Sequence, residues 1–297
     1  MDIMIFIIYE EKWVSKKIIE CWMKYNSDKY TNDIKNATKI WLFNHYLYKK
    51  VPKTNLPIIT TIHHLDEKKF NQKEWDEIDK ITSFYHSISS KTTQSLKKHT
   101  NKKIIELPMP LDPNENSFIY DKKSLREKWG FKDQFLIGSF QRDTEKDNKT
   151  PKLEKGPDIF LKLLDNFKNP TVILTGYNRQ YIIDGLNKKN IKYLYKENLN
   201  DKEINELYNI LDLYIVSSRV EGGPRAIFEC ALCKTPIVST DVGIANKILD
   251  SKSIYDFNNL GSFNSAKPDI TTAYKNALLY LAPVYMMEFN IKLFFSN

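Results

Sequence analysis

Two glutamates eight positions apart, Glu221 and Glu229, bracket the run Gly222-Gly223-Pro224-Arg225. Adjacent glycines let a backbone come close to a ligand. A proline suits the first turn of a helix, where its missing N–H would have no partner anyway. Unpaired N–H groups at a helix start attract phosphate. The stretch therefore describes an anion site that opens a helix, with one acid in the loop and one inside the helix. The two acids do not suit a hydrolytic acid–base pair. Eight helical residues span about 12 Å, whereas the paired carboxylates of glycosidases stand roughly 5–9.5 Å apart. Eight steps also turn the second acid about 80° from the first. The spacing suits two contacts on one elongated ligand, such as a ribose and a sugar on either side of a diphosphate.

Three further groups carry residue types capable of chemistry. Thr60-Thr61-Ile62-His63-His64 ends an apolar run in two adjacent histidines. Gln141–Lys155 is a charged stretch between apolar runs and ends in Lys155-Gly156. It is too long for a plain strand-to-helix turn, so it is either an active loop at a sheet edge or a disordered insertion. Cys230 and Cys233 form a C-x-x-C, but two further zinc ligands at suitable spacing are missing,. On a helix the two cysteines read as small packing residues.

The elements around these residues alternate. Strand-like runs cover Ile3–Tyr9, Ile40–Tyr48, Ile58–Ile62, Ser83–Ser89 and Lys103–Leu107 in the first half. Phe135–Phe140, Thr171–Thr175, Ile191–Tyr195, Leu213–Ser217 and Pro236–Ser239 follow in the second. Helical spacings lie between them, at Trp13–Met23, Trp75–Ile81, Thr92–Lys98, Ile159–Phe167, Glu203–Leu211 (with Asp201 as its cap) and Arg225–Cys233. Short apolar strands separated by helices imply parallel βαβ units in doubly wound sheets. Pro108-Met109-Pro110-Leu111-Asp112-Pro113 can continue neither a helix nor a central strand. It reads as a linker. The expected architecture is α/β, with two Rossmann-like domains facing a cleft: an abbreviated domain at 1–112, a second at 113–280, and a tail at 281–297. The apolar, aromatic tail reads as a closing helix, with a membrane-facing or partner-facing segment as the alternative.

Composition excludes other classes. The 297 residues are 41% hydrophobic and 28% charged, enough apolar surface for a sizeable core,. The net charge of +8 is spread over the chain, and no run of Lys/Arg exceeds two. A nucleic-acid partner is therefore not expected. Three cysteines, an odd number, argue against a disulfide framework and for a reducing compartment,. The N-terminal apolar run has no basic residues before it and ends at Glu10-Glu11. It is too short to span a membrane. A cytoplasmic protein is expected, able to work at a membrane surface.

The Glu-x7-Glu run sits behind a strand ending in Ser-Ser-Arg. It is followed by Ala-Leu-Cys-Lys-Thr-Pro-Ile-Val-Ser-Thr and the turn Asp241-Val242-Gly243. Together these resemble the nucleotide-sugar site of retaining GT-B glycosyltransferases of the family 4 type. A weaker likeness extends from Ile58 to Leu249. The resemblance implies transfer of a sugar from a nucleoside-diphosphate sugar to a glycan or other hydroxyl acceptor, lipid-linked acceptors included, with retention and without a metal or other cofactor. By the same resemblance Glu229 holds the donor ribose, Glu221 contacts the transferred sugar, and Gly222, Gly223, Pro224 and Arg225 form the diphosphate loop. Lys155 neutralises the leaving diphosphate, and Gly138-Ser139 ends the strand below it. The family's second cation usually adjoins that glycine. Here Ser139 stands in its place, and Arg142 is the nearest arginine. His63 corresponds to the strand-end histidine on the acceptor side, with His64 as its neighbour. The first half is short for an acceptor domain and has no glycine-rich turn after its first strand. A catalytically weak nucleotide-sugar or glycan-binding protein with an intact donor half is the alternative reading.

Overall fold

Short β-branched and aromatic runs become strands where both faces can be covered. The clearest is Ile58–Ile62, Ile-Ile-Thr-Thr-Ile, which is buried at every position, as parallel strands under helices are. The computed structural model describes residues 3–67 and 69–295; Met1, Asp2, Lys68, Ser296 and Asn297 lie outside them. The chain divides into two units, Met1–Asp112 with Leu279–Asn297, and Pro113–Leu278.

In the first unit, β1 (Ile5–Ile8), β2 (Lys39–Leu42), β3 (Ile58–Ile62), β4 (Phe84–Ser87) and β5 (Ile104–Glu106) pair in parallel in that order. The helices are α1 (Trp13–Lys24), α2 (Gln72–Ile81) and α3 (Ser90–Leu96). Asn71 and Ser89 cap the latter two through the amides of Glu74 and Thr92,. Strand alternation sends Ile5, Trp41, Phe43 and Ile59 to one face. There they meet Ile18, Ile19 and Trp22 of α1, and Phe289, Leu293 and Phe294 from the C-terminal segment. Ile8, Ile40, Leu42 and Ile58 point to the other face. The expected strand Ile40–Tyr48 stops at Leu42. The chain turns at Asn44 into a 3-10 stretch, His45–Lys50.

The sheet has one more partner. Tyr30 bridges Ile5 in parallel, with Ile5 N donating to Lys29 O and Thr31 N donating to Ile5 O, at 2.9 and 3.0 Å. Met4 O and Ile8 O serve β2 instead, so this bridge lies on the opposite edge of β1. The chain leaves β1 in one direction, through α1 to Tyr30, and then returns to β2 on the other side. The reversal between β1 and β2 makes this sheet doubly wound, and such a point is where α/β sheets bind ligands.

The C-terminal helix, Val284–Asn290, closes this unit. It buries Tyr285, Met286 and Phe289. Trp22 Nε1 donates to Asn290 Oδ1 at 2.9 Å, and Asn290 Nδ2 donates to Asn26 Oδ1 at 2.5 Å. Its other side turns Val284, Met287 and Ile291 to solvent. No helix among the described residues is long and apolar enough to cross a membrane.

The second unit carries α4 (Lys122–Lys128), β6 (Leu136–Ser139), α5 (Pro157–Leu163), β7 (Thr171–Thr175), α6 (Gln180–Lys188), β8 (Lys192–Lys196) and α7 (Asp201–Ile210). It continues with β9 (Leu213–Val216), α8 (Arg225–Leu232), β10 (Ile237–Thr240), α9 (Ala245–Ile248), β11 (Ile254–Tyr255) and α10 (Ile270–Leu278). Strand order is β11-β10-β9-β6-β7-β8, with all pairs parallel. The direction reverses between β6 and β9, so a ligand crevice is due outside their carboxyl ends. β8 forms an edge, and lysines at both of its ends blunt further pairing. α7 starts two residues before the expected Glu203. Asn200 rather than Asp201 caps it, in a reciprocal capping box with Glu203,.

Candidate functional site

Two chain segments meet at the β6/β9 reversal. The first is the turn Leu153–Lys155, closed by Gly156 at φ 64°. A side chain at 156 would stand 1.8 Å from Ser217 O, so only glycine lets this turn seat on the end of β9. The second is the loop Ser217–Pro224. The amides of Arg219 and Val220 donate to Glu154 O at 2.8 and 3.1 Å. The Arg219 guanidinium grips both oxygens of Asp158, at 2.8 and 2.7 Å, and Leu153 O at 2.7 Å. That fork holds the Asp158 carboxyl below its ordinary range,.

So clamped, the loop brings Glu221 to Lys155. Lys155 Nζ and Glu221 Oε1 are 2.5 Å apart, with side chains 23% and 12% exposed. The Ser218 hydroxyl faces Glu221 Oε1 at 3.4 Å and Gln141 Oε1 at 3.2 Å. Gln141 Nε2 donates to Lys155 O at 2.9 Å. Behind the glycine pair, Gly243 (φ 52°) packs so closely that a β-carbon there would lie 2.2 Å from Gly222 O. The Gly222–Gly223 peptide is thereby held in front of α8. Pro224 is the residue just before that helix, not in its first turn.

Glu229 lies one helical turn beyond Arg225. Tyr208 OH donates to its Oε2 at 2.6 Å, and Arg225 Nε approaches Oε1 at 3.5 Å. Arg225 is also paired with Glu115. Tyr208 is fully buried against Phe140 and Tyr214, with ring centroids at 4.7 and 5.6 Å. Burial, reinforced by the Glu229 charge, pushes its phenol well above the ordinary range. It therefore stays a neutral donor, and Glu229 is held in one orientation.

The charged stretch after β6 is tied down by its own contacts. Arg179 is buried and donates from Nε to Asp143 Oδ2 at 2.6 Å. Its Nη1 reaches Ser139 O at 2.6 Å and Thr175 O at 2.7 Å, and its Nη2 reaches Ser139 Oγ at 3.2 Å. A bridge between Thr144 and Pro151 closes the loop. The structure therefore commits Ser139 to Arg179. Arg142 is half-buried and follows Gln141, the residue that holds the Lys155 carbonyl. Gly138 is fixed by packing, since a β-carbon there would meet Leu211 Cδ1 at 2.3 Å and Tyr214 Cδ2 at 2.9 Å.

His63 lies in the first unit, just past β3. Its Nε2 donates to Phe43 O at 3.0 Å. Burial, with the charge of neighbouring His45, lowers it to about 3. His64 beside it is exposed. His86 on β4 is satisfied on both nitrogens, by Thr61 Oγ1 at 2.9 Å and Leu107 O at 2.8 Å. Cys230 and Cys233 are buried, free thiols. Burial raises both, Cys233 to about 12, so they pack rather than react. Among the described residues no group of three or more His, Cys, Asp or Glu could hold a metal.

The structure thus joins Lys155 to Glu221 beside Gly222 and Gly223, and joins Glu229 to Arg225. It leaves Gly138 and Ser139 inside β6 and His63 in the other unit. Sequence reading missed the Arg219–Asp158 clamp, Tyr208, Gln141 and Arg179. It quoted Gly243 only as part of a turn.

Solved structures with this architecture include Anabaena Alr3699/HepE in complex with UDP and glucose. It matches at TM-score 0.78 over 100% of both chains, with 14% identity. The sucrose-phosphate synthase of Thermosynechococcus elongatus matches at 0.70, over 93% of this chain and 76% of that one, with 10% identity. A glycosyltransferase from Rickettsia africae matches at 0.62, over 93% and 78%, with 17% identity. The fold is GT-B. Residues 150–266 match the model of the family Glycosyl transferases group 1. That span includes Lys155, Asp158, Tyr208, Arg219, Glu221, Gly222, Gly223, Arg225, Glu229 and Gly243. Among curated proteins no sequence matches the chain significantly.

Proposed function

We propose that this chain is a retaining glycosyltransferase that moves a sugar from a nucleoside-diphosphate sugar to a hydroxyl acceptor without a metal. The observation that carries the reading is the Lys155–Glu221 contact beside the Gly222–Gly223 peptide, at the switch point of the second sheet. The family match over 150–266 supports it. Glu229, pre-oriented by Tyr208, takes the ribose hydroxyls. Lys155 and the amides ahead of α8 take the diphosphate, with Arg142 as second cation and Arg225 holding Glu229. Glu221 takes hydroxyls of the transferred sugar.

In the reaction the bond from the sugar's anomeric carbon to the diphosphate oxygen breaks, and its electron pair leaves with the diphosphate. The acceptor oxygen bonds to the anomeric carbon on the same face, and its proton passes to the departing phosphate oxygen. Fixed donors aimed at that developing charge supply most of such catalysis. His63 stays neutral at pH 7 and positions the acceptor. Glycan and lipid-linked acceptors both belong to this proposal. The exposed Val284, Met287 and Ile291 support contact with a membrane surface.

A thermal-shift panel of nucleoside-diphosphate sugars tests the reading. A cognate donor at 100 times its Kd stabilises the protein by about 2.7 kcal/mol. If no donor moves the midpoint, the reading fails. Binding without turnover would mark a nucleotide-sugar-binding protein.

A further inference from the structure

Ser218 is wholly buried near the start of the loop that carries Glu221. Its backbone is fixed, since Thr240 Oγ1 donates to Ser218 O at 2.6 Å. Its hydroxyl has two acceptors within reach, Gln141 Oε1 at 3.2 Å and Glu221 Oε1 at 3.4 Å. A serine carries a single O–H, so it serves one of them at a time. Both separations exceed the roughly 2.7–2.8 Å of a settled O–H···O bond, as befits a hydroxyl standing between two acceptors.

The two acceptors are held independently. Gln141 donates from Nε2 to Lys155 O at 2.9 Å. Turned over, its amide would set oxygen against oxygen, so Oε1 must face Ser218. Ser217 Oγ also donates to Lys155 O, at 3.3 Å, which gives that carbonyl two supports. Glu221 Oε1 is the very atom that pairs with Lys155 Nζ at 2.5 Å. The oxygen that Ser218 can reach is thus the one that loses its cation whenever Lys155 turns to a diphosphate. A largely buried carboxylate left without a partner is costly. A hydrogen bond to such a charge is about twice as strong as one to a neutral amide. With Lys155 in place, neither acceptor has much advantage for the Ser218 proton. With Lys155 gone, Glu221 is strongly favoured.

We infer that Ser218 is a positioning residue of the donor site, a one-proton switch that turns from Gln141 to Glu221 as a diphosphate takes Lys155. Gln141 keeps the buried hydroxyl satisfied before the ligand arrives. Ser218 then holds Glu221 at Oε1, which leaves Oε2 to the hydroxyls of the sugar. The inference rests on the transferase reading and deepens it: release of Lys155 becomes an exchange of hydrogen bonds in place of a bare rupture of an ion pair.

The test is a calorimetric double-mutant cycle on the full chain. The probe is inorganic pyrophosphate, which carries the diphosphate without base or sugar, at fixed ionic strength and without added metal. Ser218→Ala should weaken pyrophosphate binding about five- to tenfold when Glu221 is present. In the Glu221→Gln background the departure of Lys155 uncovers no charge. There the same change should alter affinity by less than about twofold. A serine that merely holds the loop together would cost the same in both backgrounds. Ser218→Cys puts a weaker donor in the same place. It should fall between serine and alanine, and it carries the cycle if the alanine variant does not fold. Equal losses in the two backgrounds, or no loss in either, would overturn the switch. Pyrophosphate binding without that coupling sinks this inference alone. No pyrophosphate binding by the wild type or by Glu221→Gln sinks the transferase reading, and the switch with it.

Discussion

Glu221→Gln isolates the most specific claim about the donor site. With no ligand bound, the Lys155 ammonium is already paired, 2.5 Å from Glu221 Oε1. A diphosphate that needs Lys155 must first compete with that carboxylate. Hydrogen bonds to charged groups contribute about 1.5–3 kcal/mol. Both side chains keep some solvent contact, 23% and 12%, so screening brings the figure to the lower end of that range or just below it, about 1–1.5 kcal/mol. Gln keeps the shape and drops the charge. The nucleoside diphosphate alone should therefore bind about five- to tenfold more tightly to the variant. Sugar transfer should fall by about tenfold or more, since the amide cannot match the carboxylate on the sugar hydroxyls. Calorimetric titration with the diphosphate and initial rates with the full donor separate the two effects. Equal or weaker diphosphate binding by the variant would refute the exchange of partners at Lys155.

Three further outcomes follow from the same geometry. Tyr208→Phe removes one hydrogen bond from Glu229 while keeping the ring packing; the preference for a ribonucleoside over a 2′-deoxyribonucleoside diphosphate should shrink about tenfold, measured as a ratio of Kd values. Gly156→Ala would drive a methyl into Ser217 O at positive φ, so denaturant unfolding should show a loss of about 2–4 kcal/mol. His86 is wholly buried and its ionisation is lowered to about 4. Its contribution is therefore complete above the unfolded value of about 6.5 and fades as pH falls towards 4. That amounts to about 2 kcal/mol by pH 5, which urea titrations of wild type and His86→Gln at pH 7 and pH 5 would detect as a smaller pH effect in the variant.

The sequence showed the fold where period and length carried it. Ile58–Ile62 and Thr171–Thr175 could be read as buried strands because five apolar or β-branched residues run between polar turns. The Glu221–Glu229 reading counted eight helical steps, whereas the helix begins only at Arg225, so helical geometry does not set the separation of the two acids. What escaped notice depends on contacts distant in sequence. Tyr30 pairs through a single bridge to β1, too short to leave a pattern, yet it decides where the sheet reverses. Arg179 looks like any surface arginine until Asp143, Ser139 and Thr175 are seen around it. Tyr208 occupies an ordinary core position of α7, and only the fold brings its hydroxyl to Glu229. Strand β2 ended early because Asn44 spends its side chain on Glu10 and Ser15, a tie that no local propensity reveals.

The return of the chain to its first unit has a consequence for biosynthesis. Trp22 and Trp41 pack on Phe294, with ring centroids at 5.6 and 5.1 Å, so their enclosure waits for residues made after the whole of the second unit. Pro113–Leu278 is continuous in sequence and needs no such late arrival. On a ribosome, where domains generally fold as they emerge, the later-translated body can finish first, leaving the earlier one open until the segment after Leu278 closes over its tryptophans.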